Sequence, residues 1–366
     1  MSESRNILHV ISRLDGYGTA RQLRNLAREQ LAAGCRLRIV ALGANRQVRT
    51  AWETAGLHCR VLQRRWQFDP SAAWRLSDRL QHDRPEVIHA WDIDAVNYAA
   101  VARLRAVRVP LVATLLMRPP ATYWLVNQVD RLAVGSASLC RDYAARGVAT
   151  EKLIVASPSV CRSPASSLPR DQMLDGLGLP NDAQLIAVAG PLTRAKRLDE
   201  AIWCFELVRT LNERAVLLIF GDGSERQRLE RLTRLVSEPT AVKFLGYRED
   251  LGHWLSQADV FWHPGEEASI SAAVLESMAQ RVPVVASDVP AHRELIEHGR
   301  TGLLTPIGSR AGLARHTLRL LEDADLASEI GGAAAEEVSK RFSSSAMIGA
   351  YHDLYQRLPG SAEPLE

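Results

Sequence analysis

Long apolar runs are missing from this 366-residue sequence. None approaches the roughly 18 residues that a membrane-crossing helix requires. The opening stretch, MSESRNILHVISRL, has too short an apolar segment for a secretory signal and reads directly as a strand. Cysteine is scarce as well. Cys35, Cys59, Cys140, Cys161 and Cys204 are odd in number and form no CxxC pair, which predicts buried or free thiols in a reducing cytoplasm. The histidines are scattered, with no HExxH and no Cys/His cluster at ligand spacing, so no metal is expected. A GxSxG nucleophile elbow and a P-loop are also missing.

What is present is ordinary in amount and uneven in distribution. An apolar fraction of 46% and a charged fraction of 24% describe a globular chain. At about 150 residues per domain, the length favours two domains. Net charge is only +3, yet residues 1–165 hold 24 basic and 13 acidic side chains, a balance of +11. The other 21 basic and 29 acidic residues balance at −8. Such a split suggests halves that face different partners, although a general preference for arginine on solvated faces also produces it.

Short β-branched runs alternate with helical stretches along the first half, from NILHVIS and TARQLRNLAREQLAAG to PLVATLL and RLAVGS. The alternation restarts at AQLIAVAG and continues through AVLLIFGDG, DVFWHPG, SAAVLESMAQR and VPVVASD. Strands spaced by helices of this length predict βαβ units and parallel sheets. A stretch rich in Pro, Ser and Gly separates the halves. The expected organisation is an α/β protein of two Rossmann-like, doubly wound domains facing a central cleft, where open parallel sheets bind ligands. Its boundaries are an N-terminal domain over 1–160, a linker over 161–183 and a second domain over 184–342. An amphipathic helix over 343–358 would pack back toward the N-terminal domain, with a tail at 359–366.

Several strand-to-helix turns carry residues suited to chemistry. DGYGTA places Gly16 and Gly18 after the first strand, but the third glycine of a GxGxxG fingerprint is Arg21. A tight turn and a close backbone approach to a ligand both fit it. GDGSERQRLE, with Gly223, is a second such turn, and Ser224 is a plausible helix cap there. Ser269 or Ser271 can cap the helix beginning near Ala272, whose free first-turn amides would form an anion site. Glu276 lies about one turn into that helix, where a solvent-facing position is the plain alternative.

Taken together and in order, these stretches resemble the GT-B glycosyltransferases of family 4. ILHVISRLDGYGTARQLRNLA resembles that family's opening, and GPLTRAKRLDEAI, LLIFGDGSERQRLE, VKFLGYREDLGHWLSQADVFWHPG and VLESMAQRVPVVASDVPAHRELIEHGRTGLLTP follow its order. The resemblance implies the GT-B fold and retaining transfer from a nucleotide-diphosphate sugar to a glycan or lipid-linked acceptor, with no metal. It assigns Lys196 to the donor diphosphate, Glu276 to the nucleotide ribose and Gly18 to the opening turn. The helix amides from Ser269, Ile270, Ser271 and Ala272 to Ala273 would face the diphosphate, with Gly223 and Arg194 nearby. Glu294 is a further acidic counterpart.

The departures cluster on the sugar and phosphates. Tyr17 replaces the second opening glycine, Pro191 an arginine that binds diphosphate, Leu116 a histidine and Ala268 the sugar-contacting glutamate. PSVC stands for NGVD before the linker. Glu267, one residue before Ala268, is the candidate catalytic carboxylate, with an exposed loop acid as its alternative. Arg194 and Arg197 flank Lys196 and are candidates to supply the missing cation. These losses also suit a catalytically impaired protein that binds sugar nucleotides or partners. An NAD(P)-dependent oxidoreductase fits poorly without a full dinucleotide fingerprint. VLQRRWQFDPSAAWRLSDRL interleaves Arg64, Arg65, Arg75 and Arg79 with Trp66, Phe68 and Trp74. That pattern suits peripheral contact with an anionic membrane; tryptophans in a core beneath solvated arginines are the alternative. No nucleic-acid motif accompanies the charge.

Overall fold

A computed structural model describes residues 5–66, 68–105, 109–119, 124–160, 169–238, 240–266 and 269–358. The chain divides into two compact units, Met1–Ser159 with Ser344–Glu366, and Val160–Ser343.

The first unit is built on β1 (Asn6–Leu14), β2 (Arg36–Ala44), β3 (Cys59–Val61), β4 (Val87–Ala90), β5 (Leu111–Leu115), β6 (Arg131–Val134) and β7 (Leu153–Val155). They pair in parallel in the order β3-β2-β1-β4-β5-β6-β7. The strand order reverses between β1 and β4. The central strands are buried on both faces because helices cover both; β4 and β5 are buried throughout. The short edge strand β7 lacks such burial, and its three residues were not legible as a strand in the sequence.

The helix Ser344–Gln356 returns to this unit. Tyr355 bonds His89 Nδ1 at 2.7 Å, and Tyr351 bonds Thr114 at 3.0 Å. Gln30 Nε2 donates to Tyr355 as well. The buried tyrosines thus fasten the last helix to His89 of β4, Thr114 of β5 and the first helix.

In the second unit, β8 (Gln184–Ala189), β9 (Ala215–Phe220), β10 (Val242–Gly246), β11 (Val260–His263), β12 (Val284–Ser287) and β13 (Leu303–Thr305) form a parallel sheet in the order β10-β9-β8-β11-β12-β13. The order reverses between β8 and β11, and open sheets of this kind bind ligands beyond the carboxyl ends of their strands at such a point.

The stretch read as a linker, 161–183, needs correction. Residues 161–168 lie outside the described residues, and Arg170–Leu177 is a helix. Met173 and Leu174 enter the hydrophobic core of the second unit, and left-handed Gly178 (φ 65°) ends the helix. Arg170 holds it in place by donating to Ala183 O and Asp259. Pro, Ser and Gly dominated the composition, but apolar residues at helical spacing decided the conformation.

Candidate active site

Three loops converge beyond the carboxyl ends of β8, β9 and β11. The β8 loop is pinned first. Gly190 N–H donates to Phe220 O and Leu192 N–H to Asp222 O. The backbones lie so close that a Cβ on Gly221 would sit 1.9 Å from Gly190 O, and one on Gly223 2.5 Å from Leu192 O. Gly223, expected to approach a ligand, is therefore required by loop-to-loop packing. Ser224 does not cap the following helix, Arg226–Val236; Glu225 holds that position, and its side chain caps no amide.

After Thr193, a single turn over Arg194–Lys196 leads to left-handed Arg197 (φ 50°) and the helix Leu198–Leu211. This turn sends Lys196 inward. It is only 5% exposed, and a Cβ on Gly190 would lie 2.8 Å from its Cε and 2.9 Å from its Nζ. The lysine lines a small cavity with Gly190, Leu198, Trp262, His263 and Pro264, at the point where the strand order reverses. A buried ammonium is kept only where it meets compensating groups.

The β11 loop locks onto the same turn. Glu266 N–H donates to Ala195 O, and a Cβ on Gly265 would come within 2.8 Å of that oxygen. Arg197 bonds Glu200 and Glu266. Three of its N–H groups are thereby taken by these carboxylates. Arg194 extends outward with its side chain 88% exposed, 3.6 Å from Glu225. At that exposure the pair fixes its position weakly.

Glu267 and Ala268 lie outside the described residues, so the candidate catalytic carboxylate has no described position. Ser269 is half-buried and Ile270 buried, with the Ile270 side chain in the core. Only the main chain of Ile270 is therefore suited to face a ligand. Ser271 occupies the N-cap of the helix Ala272–Ala279, yet its hydroxyl caps no amide. The expected side-chain cap is not formed, which suits first-turn amides that serve an anion instead. Glu276 is half-buried, with its Oε2 enclosed, and does not have the plain solvent-facing placement. Glu294 follows the short helix Pro290–Arg293, and its carbonyl accepts from Arg341.

Sequence reasoning missed His263 and His292. Both are buried, and their rings meet edge to face at 4.8 Å. His292 Nδ1 lies 2.6 Å from Ser287 O; a carbonyl only accepts, so that nitrogen carries the proton. The signal was present in VFWHPG, where a polar residue ends a fully buried strand just before the Gly265 loop.

At the first unit's carboxyl edge, Gly18 opens the helix Gly18–Ala32 and is exposed. An added Cβ would meet nothing within 4 Å. The positive φ belongs to Gly16 (78°) instead. Leu116, in the position of the family's histidine, packs where a Cβ on Gly135 would be 2.8 Å away. Among the described residues, no group of three or more His, Cys, Asp and Glu is placed to hold a metal.

Two family profiles match the chain. One, described as Glycosyltransferase Family 4, covers residues 17–161, and the other, Glycosyl transferases group 1, covers 183–323. The chain belongs to glycosyltransferase family 4. Among curated relatives of this glycosyltransferase, the N-acetyl-alpha-D-glucosaminyl L-malate synthase of Bacillus anthracis is 28% identical over 50% of this chain and 48% of its own length. The chain thus spans about half of that relative. The lipopolysaccharide core biosynthesis glycosyltransferase LpsD of Rhizobium meliloti is 25% identical over 78% of this chain and 79% of its own. Among solved structures, Anabaena HepE in complex with UDP-glucose superposes with a TM-score of 0.85 at 20% identity, over 97% of this chain and 100% of HepE. That likeness establishes the GT-B fold of this glycosyltransferase.

Proposed function

We propose that the protein transfers a sugar from a nucleotide-diphosphate sugar to a glycan or lipid-linked acceptor, with retention of anomeric configuration and without a metal. The donor belongs to the second unit and the acceptor to the first. The observation that carries this reading is the buried Lys196 where the sheet order reverses, together with the helix at Ala272, whose first turn has no side-chain cap. When the bond from the sugar to the diphosphate breaks, its electron pair goes to the phosphate oxygen. The Lys196 ammonium and the helix amides are suited to stabilise that charge. The half-buried Glu276 suits the ribose hydroxyls, since a carboxylate accepts from two of them at once. Pro191 offers no side-chain donor in place of the family's arginine, and Arg197 is held by carboxylates. Phosphate neutralisation therefore rests chiefly on Lys196 and main-chain amides. Retention rests on the resemblance to family 4, and the LpsD relationship supports the glycan-type acceptor.

Calorimetric titration with UDP-, GDP- and ADP-sugars tests the donor assignment. Saturable binding of one donor, abolished by Glu276→Ala, is expected. Failure of the folded protein to bind any donor overturns it. The anomeric configuration of the product, read by NMR, tests retention separately.

A further inference from the structure

The surface formed by residues 64–66 and 68–75 has no part in donor binding. Trp66 is 57% exposed, Phe68 51% and Trp74 56%. These are side chains that a folded protein ordinarily buries, so the sequence alternative of tryptophans in the core fails here. The main chain at Arg65 and Asp69, on either side of Trp66 and Phe68, is held by hydrogen bonds. Asp69 is buried, and its carboxylate accepts from Arg65 N–H at 3.1 Å, Ser71 N–H at 2.9 Å and Ala72 N–H at 3.3 Å. Its own N–H donates to Tyr98 OH. One buried carboxylate therefore ties Arg65 to the start of the helix Pro70–Asp83 and caps that helix, while Trp66, Phe68 and Trp74 stay exposed.

Two arginines lie beside these residues. Arg75 donates to Leu62 O and Ser71 Oγ, arching back over the loop. The Arg105 guanidinium lies 5.4 Å from the Trp74 ring centroid, next to Leu104, which is 84% exposed. Residues 60–84 carry six arginines against three aspartates, within a half of the chain whose balance is +11. Among the described residues, no helix is long and apolar enough to cross a membrane. We propose that this surface docks the protein on an anionic lipid bilayer, with Trp66, Phe68 and Trp74 entering the headgroup boundary and the arginines meeting lipid phosphates. Amphipathic indole rings favour that boundary, and arginine pairs with phosphate through two donors at once. The loop follows the carboxyl end of β3, the same edge of the sheet as the Gly16–Gly18 turn. The inference rests on the first unit's surface and stands apart from donor binding.

Vesicle sedimentation of the full chain tests it, with phosphatidylglycerol mixed into phosphatidylcholine against pure phosphatidylcholine. Binding to the anionic vesicles, weakened by salt, is expected. The combined variant Trp66→Ser, Phe68→Ser, Trp74→Ser should lose at least about tenfold in partitioning. Arg65→Glu, which leaves the aromatics in place, should lose more than roughly fivefold, the equivalent of about 1 kcal/mol per arginine near such a surface. Circular dichroism and the donor titration confirm that both variants are folded, so a failure here is distinct from a failure of donor binding. Equal sedimentation with both vesicle types, none with either, or an unaffected aromatic variant overturns the proposal. So does self-association that the aromatic variant abolishes in place of lipid binding, because the surface would then join copies of the chain.

Discussion

Arg197 reaches Glu266 and so ties the turn that carries Lys196 to the loop that leads into the helix Ala272–Ala279. The same guanidinium bonds Glu200, and a Cβ on Gly308 would lie 3.3 Å from it. One left-handed arginine thereby joins loops from three strands. It braces the site's main chain, and in the sequence it is also a candidate for the missing phosphate cation.

Arg197→Gln should accordingly lower donor affinity about tenfold while leaving the same ligands in place. Thermal stability should fall by about 1 kcal/mol, since the pairs are partly solvated. Calorimetry and thermal unfolding measure the two effects separately. A variant that binds donor normally would show that the clamp has no bearing on the site.

Lys196→Met separates charge from packing. The thioether fills much the same volume, and relief of a buried charge keeps stability level or raises it. Affinity for a nucleotide-diphosphate sugar should drop by a factor of about 10 to 150, the worth of a charge-assisted hydrogen bond at about 1.5–3 kcal/mol. Binding of the matching free nucleoside should be unchanged. Equal losses for both ligands would place the lysine away from the phosphates.

The fold was legible because strands buried on both faces, such as AVLLIF and VPVV, leave continuous apolar runs that helical stretches interrupt. Lys196 and Glu276 were legible through resemblance, and their burial was not. Lys196 follows a loop whose Gly190 and Leu192 bond the β9 loop, and its neighbour Ala195 bonds the β11 loop; those contacts join residues far apart in sequence. The helix Arg170–Leu177 was hidden by its neighbours' composition. Trp66 and Trp74 show the opposite failure: composition alone does not tell an exposed indole from a buried one, and the Asp69 turn decides it.

Gly18 and Gly221 offer a matched comparison. Gly221→Ala should destabilise by roughly 4 kcal/mol or more, because its Cβ would overlap Gly190 O at a φ of 121°. Gly18→Ala meets no atom within 4 Å and should leave stability unchanged or raise it by up to about 1 kcal/mol. Any fall in transfer rate in that second variant would then report close ligand approach at the opening turn. Denaturant melts and a transfer assay on both variants check this.

The buried histidines of the first unit predict acid sensitivity. His9 Nδ1 accepts from Trp91 Nε1, so its Nε2 carries the proton and donates to Gln30. Burial lowers His9 to about 4, opposed by the Gln30 bond. His89, in register with it on the adjacent strand, is also lowered, by burial first and then by His9. An unfolded histidine titrates near 6.5. As pH falls from about 6.5 toward 4, the unfolded chain takes up protons that the folded unit refuses, so stability is lost over that window at about 1.4 kcal/mol per pH unit for each histidine. Above it, stability should be flat with respect to these groups. Denaturant melts of the full chain from pH 7.5 down to 4.5 should show this slope, and His9→Gln should reduce it by about one proton. Because Tyr355 of the last helix bonds His89, hydrogen exchange should show the helix Ser344–Gln356 losing protection over the same range. An acid slope that His9→Gln leaves intact would assign the sensitivity to other groups.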